Sequence, residues 1–246
     1  MTKIMMMGDS WACGEWVHEK TGEDQMDGKW TYSYQVAHQG TAQYLREAGH
    51  QVISVAEGGS NNWAQVDRLQ PYHAMQRDRD SGRNLRDADV VLWFTTDPLR
   101  DLKDSQPTTM ADFQARPDSL LRGNMETLRG IVGDRPVWIV GGVGVVPQWV
   151  QTRYPTWRVI VPDLVRWLIP GSVLSTVHLC RGWRYGDCDL DLLDHHEREE
   201  QRASSFLWRA EHRLDSDEHR YFWPDGYHPN RETHRRLTQE LILPLL

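Results

Sequence analysis

The chain reads as an α/β domain built on a mostly parallel sheet, and three observations predict this. Short apolar runs of strand length recur at Ile4 to Met7, Gln51 to Val55, Asp89 to Phe94 and Pro136 to Gly141. Segments with helical spacing separate them, at Tyr32 to Ala48, Trp63 to Gln76 and Leu120 to Val132. The run Asp-Val-Val-Leu-Trp-Phe at 89–94 is continuously apolar and rich in β-formers, which suits a central parallel strand buried on both faces. Strands alternating with helices build a parallel sheet, and ligands of such sheets sit at the carboxyl ends of the strands.

Each element follows from local signals. Lys3-Ile4-Met5-Met6-Met7 runs directly into Gly8-Asp9-Ser10, a buried strand ending in a tight turn that presents a serine. The methionine triplet reads as core packing rather than a thioether metal site. Residues 14–31, with Gly22 and Gly28, read as a loop inserted before the first full helix. That helix spans Tyr32 to Ala48, with Gly49 as its C-terminal stop. After the second strand comes the turn cluster Glu57-Gly58-Gly59-Ser60-Asn61-Asn62, in which Asn62 is placed to cap the next helix. Thr95-Thr96-Asp97-Pro98 closes the third strand, Pro98 biasing Asp97 away from helix. Val159 to Leu168 reads as a short helix, and Leu190 to Leu214 as a longer charged one. The last helix, Arg231 to Leu243, places Leu237, Leu241 and Leu245 on its apolar side. The whole is one domain over residues 1–246, less regular over 143–220.

Composition narrows the function classes. With 39% hydrophobic and 26% charged residues, the chain suits a folded globular protein and not a disordered one. A net charge of −7 without a long basic run argues against nucleic-acid binding as the main task. No run approaches the ~20 apolar residues of a membrane span, and no secretory signal is visible. Cys13, Cys180 and Cys188 form no paired framework and read as reduced, in a cytoplasmic or similar compartment. Twelve tryptophans is a high number, and several are expected to line a cleft or an interface. Trp11, Trp149 and Trp223 fall in loops at the active end, where wall, core and interface roles are all open. Asp194-His195-His196-Glu197 with Glu199 resembles a metal-ligand cluster, but the adjoining Arg198 and Arg202 make it a solvated charged helix.

The chemistry lies in residues far apart along the chain. A serine hydroxyl becomes a nucleophile only when a base removes its proton, and histidine does this near neutral pH. A carboxylate then fixes the imidazole tautomer and stabilises the cation that forms. Ser10 after the first strand and Asp225-Gly226-Tyr227-His228 near the other end supply these three groups. Gly58 or Gly59 lets backbone approach a ligand closely and supplies an oxyanion N–H beside that of Ser10.

Gly8-Asp9-Ser10, Gly58-Gly59-Ser60-Asn61, Asp97 and Asp225-x-x-His228, in that order over residues 3 to 230, resemble the SGNH (GDSL-like) hydrolase superfamily. The resemblance implies a three-layer α/β/α sandwich of flavodoxin-like type. It implies a triad of Ser10, Asp225 and His228, with Gly58 as the second oxyanion donor. The family's third block reads Gly-x-Asn-Asp, and here Thr96 stands in place of its Asn. Thr96 itself, or Asn61 or Asn62 from the neighbouring loop, would then supply the third donor. The implied activity is cleavage of a small ester, such as an O-acetyl group on a carbohydrate, with no metal or organic cofactor. The rival reading is a weak or inactive member of this fold with a binding or assembly role, for example in a viral particle. A homo-oligomer or partner would then meet the Trp-rich surface.

Overall fold

The computed structural model describes residues 1–18, 34–70, 88–96, 98–101, 110–142, 145–170, 220–222 and 228–246. Five strands form one parallel sheet: β1 (Lys3–Met7), β4 (Gln51–Ser54), β5 (Val90–Thr95), β6 (Val137–Gly141) and β7 (Arg158–Val161). Their order across the sheet is β4-β1-β5-β6-β7. Ile4 pairs with Val52 on one side and Val90 on the other, and Met6 with Ser54 and Leu92. A separate antiparallel ribbon joins β2 (Glu15–His18) to β3 (Tyr34–His38).

The strand pattern explains the layers. Side chains alternate across a strand. Ile4, Met6, Val90, Leu92, Phe94 and Val140 face one core. Met5, Met7, Val91, Trp93, Val137 and Ile139 face the other. The first core is covered by α2 (Gly40–Glu47) through Ala42 and Leu45, and by α6 (Leu164–Leu168). The C-terminal segment completes it: α7 (Arg231–Arg236) continues into a π-helical turn, Leu237–Ile242. The second core is covered by α3 (Asn62–Asp67), α4 (Met110–Val132) and α5 (Trp149–Arg153). The result is a three-layer α/β/α sandwich with both sheet faces buried, as the apolar runs require.

Four local expectations are corrected. Tyr34–His38 is a strand, not the first turns of a helix, because it pairs with Glu15–His18 and because Gly40 has φ +52, which breaks helical continuity there. Val159–Val161 lies in the edge strand β7, where three β-branched residues favour extended backbone, and Asp163 then caps α6 by accepting from the Arg166 N–H at 3.1 Å. Asn61, not Asn62, caps α3, its Oδ1 accepting from the Ala64 N–H at 2.8 Å. On the last helix Leu237 is buried and Leu241 packs partly buried against the core as expected, but Thr233, His234, Thr238 and Ile242 complete the buried face and Leu245 is only partly buried. Gly49 does end α2: the Gly49 N–H donates to the Arg46 carbonyl and the His50 N–H to that of Leu45. With φ +90 at Gly49 this is a Schellman stop. The charged segment 190–214 lies outside the described residues.

Gly8 sets the turn from β1 into α1 (Ser10–Cys13). A Cβ there would lie 2.5 Å from the Ala12 Cβ and 2.8 Å from that of Phe94. Gly8→Ala is expected to destabilise the protein by about 1–3 kcal/mol through overpacking and to move Ser10 with the turn. Urea denaturation against the wild type measures the loss.

Candidate active site

The three loops that follow β1, β4 and β5 meet because these strands are neighbours in the sheet. The first carries Ser10, the second Gly58 and Asn61, and the third Thr96. Successive strands are added on one side of β1 (β4) and then on the other (β5 to β7), so the strand order reverses between β1 and β5, the position where α/β folds place their ligands.

Ser10 opens α1 and is 7% exposed. Asp9 precedes it as N-cap, its Oδ1 accepting from the Trp11 N–H at 2.9 Å. Asp9 is fully buried. Its Oδ2 accepts from Nη1 of Arg100 at 3.1 Å, and the same Nη1 donates to Oγ1 of Thr96 at 3.0 Å. Burial pushes the Asp9 carboxyl above its ordinary range, opposed by Arg100, Thr96 and the Trp11 N–H.

The loops are sewn together by side-chain amides and hydroxyls. The Asn62 amide donates to the Thr96 carbonyl at 2.8 Å and accepts from the Thr96 N–H at 2.9 Å. Asn61 donates to the Arg100 carbonyl at 3.1 Å. Ser60 donates to the carbonyls of Gly8 and Glu57 at 3.1 and 2.8 Å. Asp101, at the end of the 3-10 turn Pro98–Asp101, accepts from the Trp63 N–H at 2.9 Å and the Asn124 amide at 2.7 Å. Asn61, Asn62 and Thr96, the three side chains weighed as a third oxyanion donor, are therefore engaged in holding loops.

His228 is 4% exposed. Its ring packs on the indole of Trp16, centroids 5.3 Å apart and planes inclined by 34°. Trp16 Nε1 donates to the Ser10 carbonyl at 2.9 Å. A Cβ built at Gly58 would lie 3.3 Å from Trp16 Cη2 and 3.9 Å from the Ser10 Cβ. Ser10, Gly58 and His228 thus surround one indole. Next to Trp16, Glu15 accepts three hydrogen bonds from Arg231: from its N–H at 2.7 Å, Nε at 2.9 Å and Nη2 at 2.6 Å. Both guanidinium donors converge on Oε1 while the backbone N–H meets Oε2, and together these charge-assisted bonds pin the start of α7 and hence the segment bearing His228. Deeper in the same contact, His234 Nδ1 lies 3.1 Å from the Thr41 hydroxyl. Burial, with repulsion from His38 second, pushes His234 down to about 4.

Cys13 lies three residues after Ser10 on the same short helix. Burial and the Asp9 charge push its thiol up to about 12, so it stays protonated and unreactive. Trp11 is fully buried in the core, its ring 5.6 Å from that of Phe222. Asp97, Trp223 and Asp225 lie outside the described residues, as does the cluster at 194–200. Among the described residues no group of three His, Cys, Asp or Glu is placed to hold a metal ion, and no helix is long and apolar enough to cross a membrane.

Trp16 and Arg100 were not singled out from the sequence. Arg100 stands four residues after Thr96, a spacing that brings two side chains together in a single turn. Trp16 offered no such signal, because its partners are set by the ribbon β2–β3.

No protein-family model matches the chain, and no curated protein matches its sequence. Solved structures do resemble it. A lipase from a goat rumen metagenome is 16% identical with a TM-score of 0.41, over 84% of this chain and 100% of its own. A lipase/acylhydrolase from Enterococcus faecalis is 15% identical with a TM-score of 0.37, over 98% and 97%. A catalytic mutant of an acetylxylan esterase from Geobacillus stearothermophilus is 13% identical with a TM-score of 0.37, over 97% and 91%. Likeness at this level carries no argument about chemistry, which rests on the residues themselves.

Two stability tests follow from the buried charges. Arg100→Leu strands the Asp9 carboxylate and is expected to cost about 3–5 kcal/mol at neutral pH. Without Arg100 the Asp9 carboxyl rises further, so the unfolded chain ionises first and the deficit shrinks as pH falls toward 5; urea midpoints at pH 8 and pH 5 measure it. His234 binds its proton at 6.5 in the unfolded chain and at about 4 in the folded one. Stability is therefore lost as pH falls from 6.5 to 4, by about 3 kcal/mol from this group. His234→Gln should flatten that part of the urea profile.

Proposed function

We propose that this protein is a serine hydrolase that cleaves a small ester, such as an O-acetyl group on a carbohydrate or another short acyl ester. The supporting observation is the gathering of Ser10, Gly58 and the His228 ring around Trp16, at the carboxyl end of adjacent strands. In this reading His228 takes the proton from the Ser10 hydroxyl as its oxygen attacks the acyl carbon. Asp225 orients the imidazole and balances its charge. The tetrahedral oxyanion is met by the backbone N–H groups of Ser10 and Gly58. The alcohol leaves with the proton held by His228, giving an acyl-enzyme. Water then donates a proton to His228 and attacks the acyl carbon, which releases the acid and restores Ser10.

One observation favours a second reading, a catalytically weak or inactive fold with a binding or assembly role. Thr96 stands where the third donor is needed, and its hydroxyl oxygen is held by Arg100 Nη1 at 3.0 Å. A hole lacking one donor loses on the order of 10²–10³ in rate. The two readings separate on p-nitrophenyl acetate and on a fluorophosphonate probe. A hydrolase turns over the ester and is labelled by the probe, and Ser10→Ala lowers turnover by at least about 10³-fold and abolishes labelling. Equal behaviour of Ser10→Ala and the wild type would establish the non-catalytic reading.

A further inference from the structure

The geometry points to Trp16 as the positioning residue of this site: one indole fixes the Ser10 peptide and the His228 ring relative to each other. Its kinetic consequence rests on the hydrolase reading above, whereas the contact itself does not.

Trp16 lies on β2, outside the five-stranded sheet, so core packing of that sheet does not account for its place. Its three neighbours come from three separate stretches of chain. The indole N–H donates to the Ser10 carbonyl at 2.9 Å. The carbonyls at the end of a helix as short as α1 lack intrahelical partners, and the indole satisfies one of them. That bond holds the 10–11 peptide and with it the backbone torsions from which the Ser10 side chain projects. The indole and imidazole rings lie with centroids 5.3 Å apart and planes inclined by 34°. An aromatic contact of this kind restricts the tilt of the imidazole ring. The far edge of the indole, Cη2, closes on Gly58, where a Cβ would come within 3.3 Å. Glu15, the preceding residue, grips Arg231 three residues beyond His228, so ribbon and base move as one unit. Trp16 is partly exposed, which places its remaining surface at the mouth of the cluster.

The test uses the full chain with Trp16→Leu and Trp16→Phe. Trp16→Leu should lower kcat on p-nitrophenyl acetate on the order of 10- to 100-fold, with KM within about twofold, because misplaced groups slow the step without weakening substrate binding. Trp16→Phe keeps an aromatic ring but loses the N–H that holds the Ser10 carbonyl, and should recover only part of the loss. A KM increase with kcat unchanged would overturn the proposal, because the indole would then be only a substrate wall. The second readout needs no activity. The His228 ring-proton resonances, assigned by their disappearance in His228→Gln, should be displaced by the indole ring current. They should move back in Trp16→Leu and partly back in Trp16→Phe. Resonances unchanged in both variants would overturn the proposal. If Trp16→Leu does not fold, Trp16→Phe decides by the same criterion. A wild type with neither turnover nor probe labelling would sink the hydrolase reading, and the ring-current shift would still decide the role of Trp16.

Discussion

Everything in this protein depends on β1 being buried on both faces between β4 and β5. A strand in that position must be apolar throughout, which is why four consecutive residues, Ile4 to Met7, are at most 1% exposed. Its parallel partners run in the same direction, so the three loops that leave them emerge at one edge. Nothing in the local preferences of Ser10, Gly58 or Thr96 would bring them together. The sheet does so as a by-product of burying apolar surface.

Once the loops meet, their polar side chains are consumed in holding each other. Asn62 reads both backbone groups of Thr96. Arg100 bridges the carboxylate that caps the serine-bearing helix to the hydroxyl at the end of β5. A buried pair of this kind is retained only when its hydrogen bonds are satisfied, and here the Trp11 N–H and Thr96 complete them. In this chain the Thr96 hydroxyl oxygen serves to hold the loops together through Arg100.

His228 comes from elsewhere. His228 stands just before α7, and α7 is anchored on the ribbon β2–β3 and on α2 rather than on the loops of the sheet: Glu15 holds Arg231, and Thr41 meets His234. The fully buried His234 is kept neutral there by desolvation, so this anchor is acid-sensitive. Ser10 and His228 are held by two different frames, and the Trp16 indole is a point where the two touch.

The sequence by itself determined the sheet and its active edge. Continuous apolar runs at 4–7 and 90–94 can only be strands buried on both faces, and the Gly49 stop and the turn cluster at 57–62 follow from residue chemistry that acts over a few positions. It also marked Ser10, Gly58 and His228, which the fold gathers around Trp16. What only the tertiary structure decided was pairing. Tyr34–His38 became a strand because Glu15–His18 lay beside it, and Val159–Val161 joined an edge of the sheet rather than a helix. Asn61 rather than Asn62 became the cap because Thr96 claimed the second amide. Trp16 and Arg100 acquired their places the same way. Local preferences reach three or four residues, whereas these contacts join residues tens to hundreds of positions apart, and only the folded chain brings them within bonding distance.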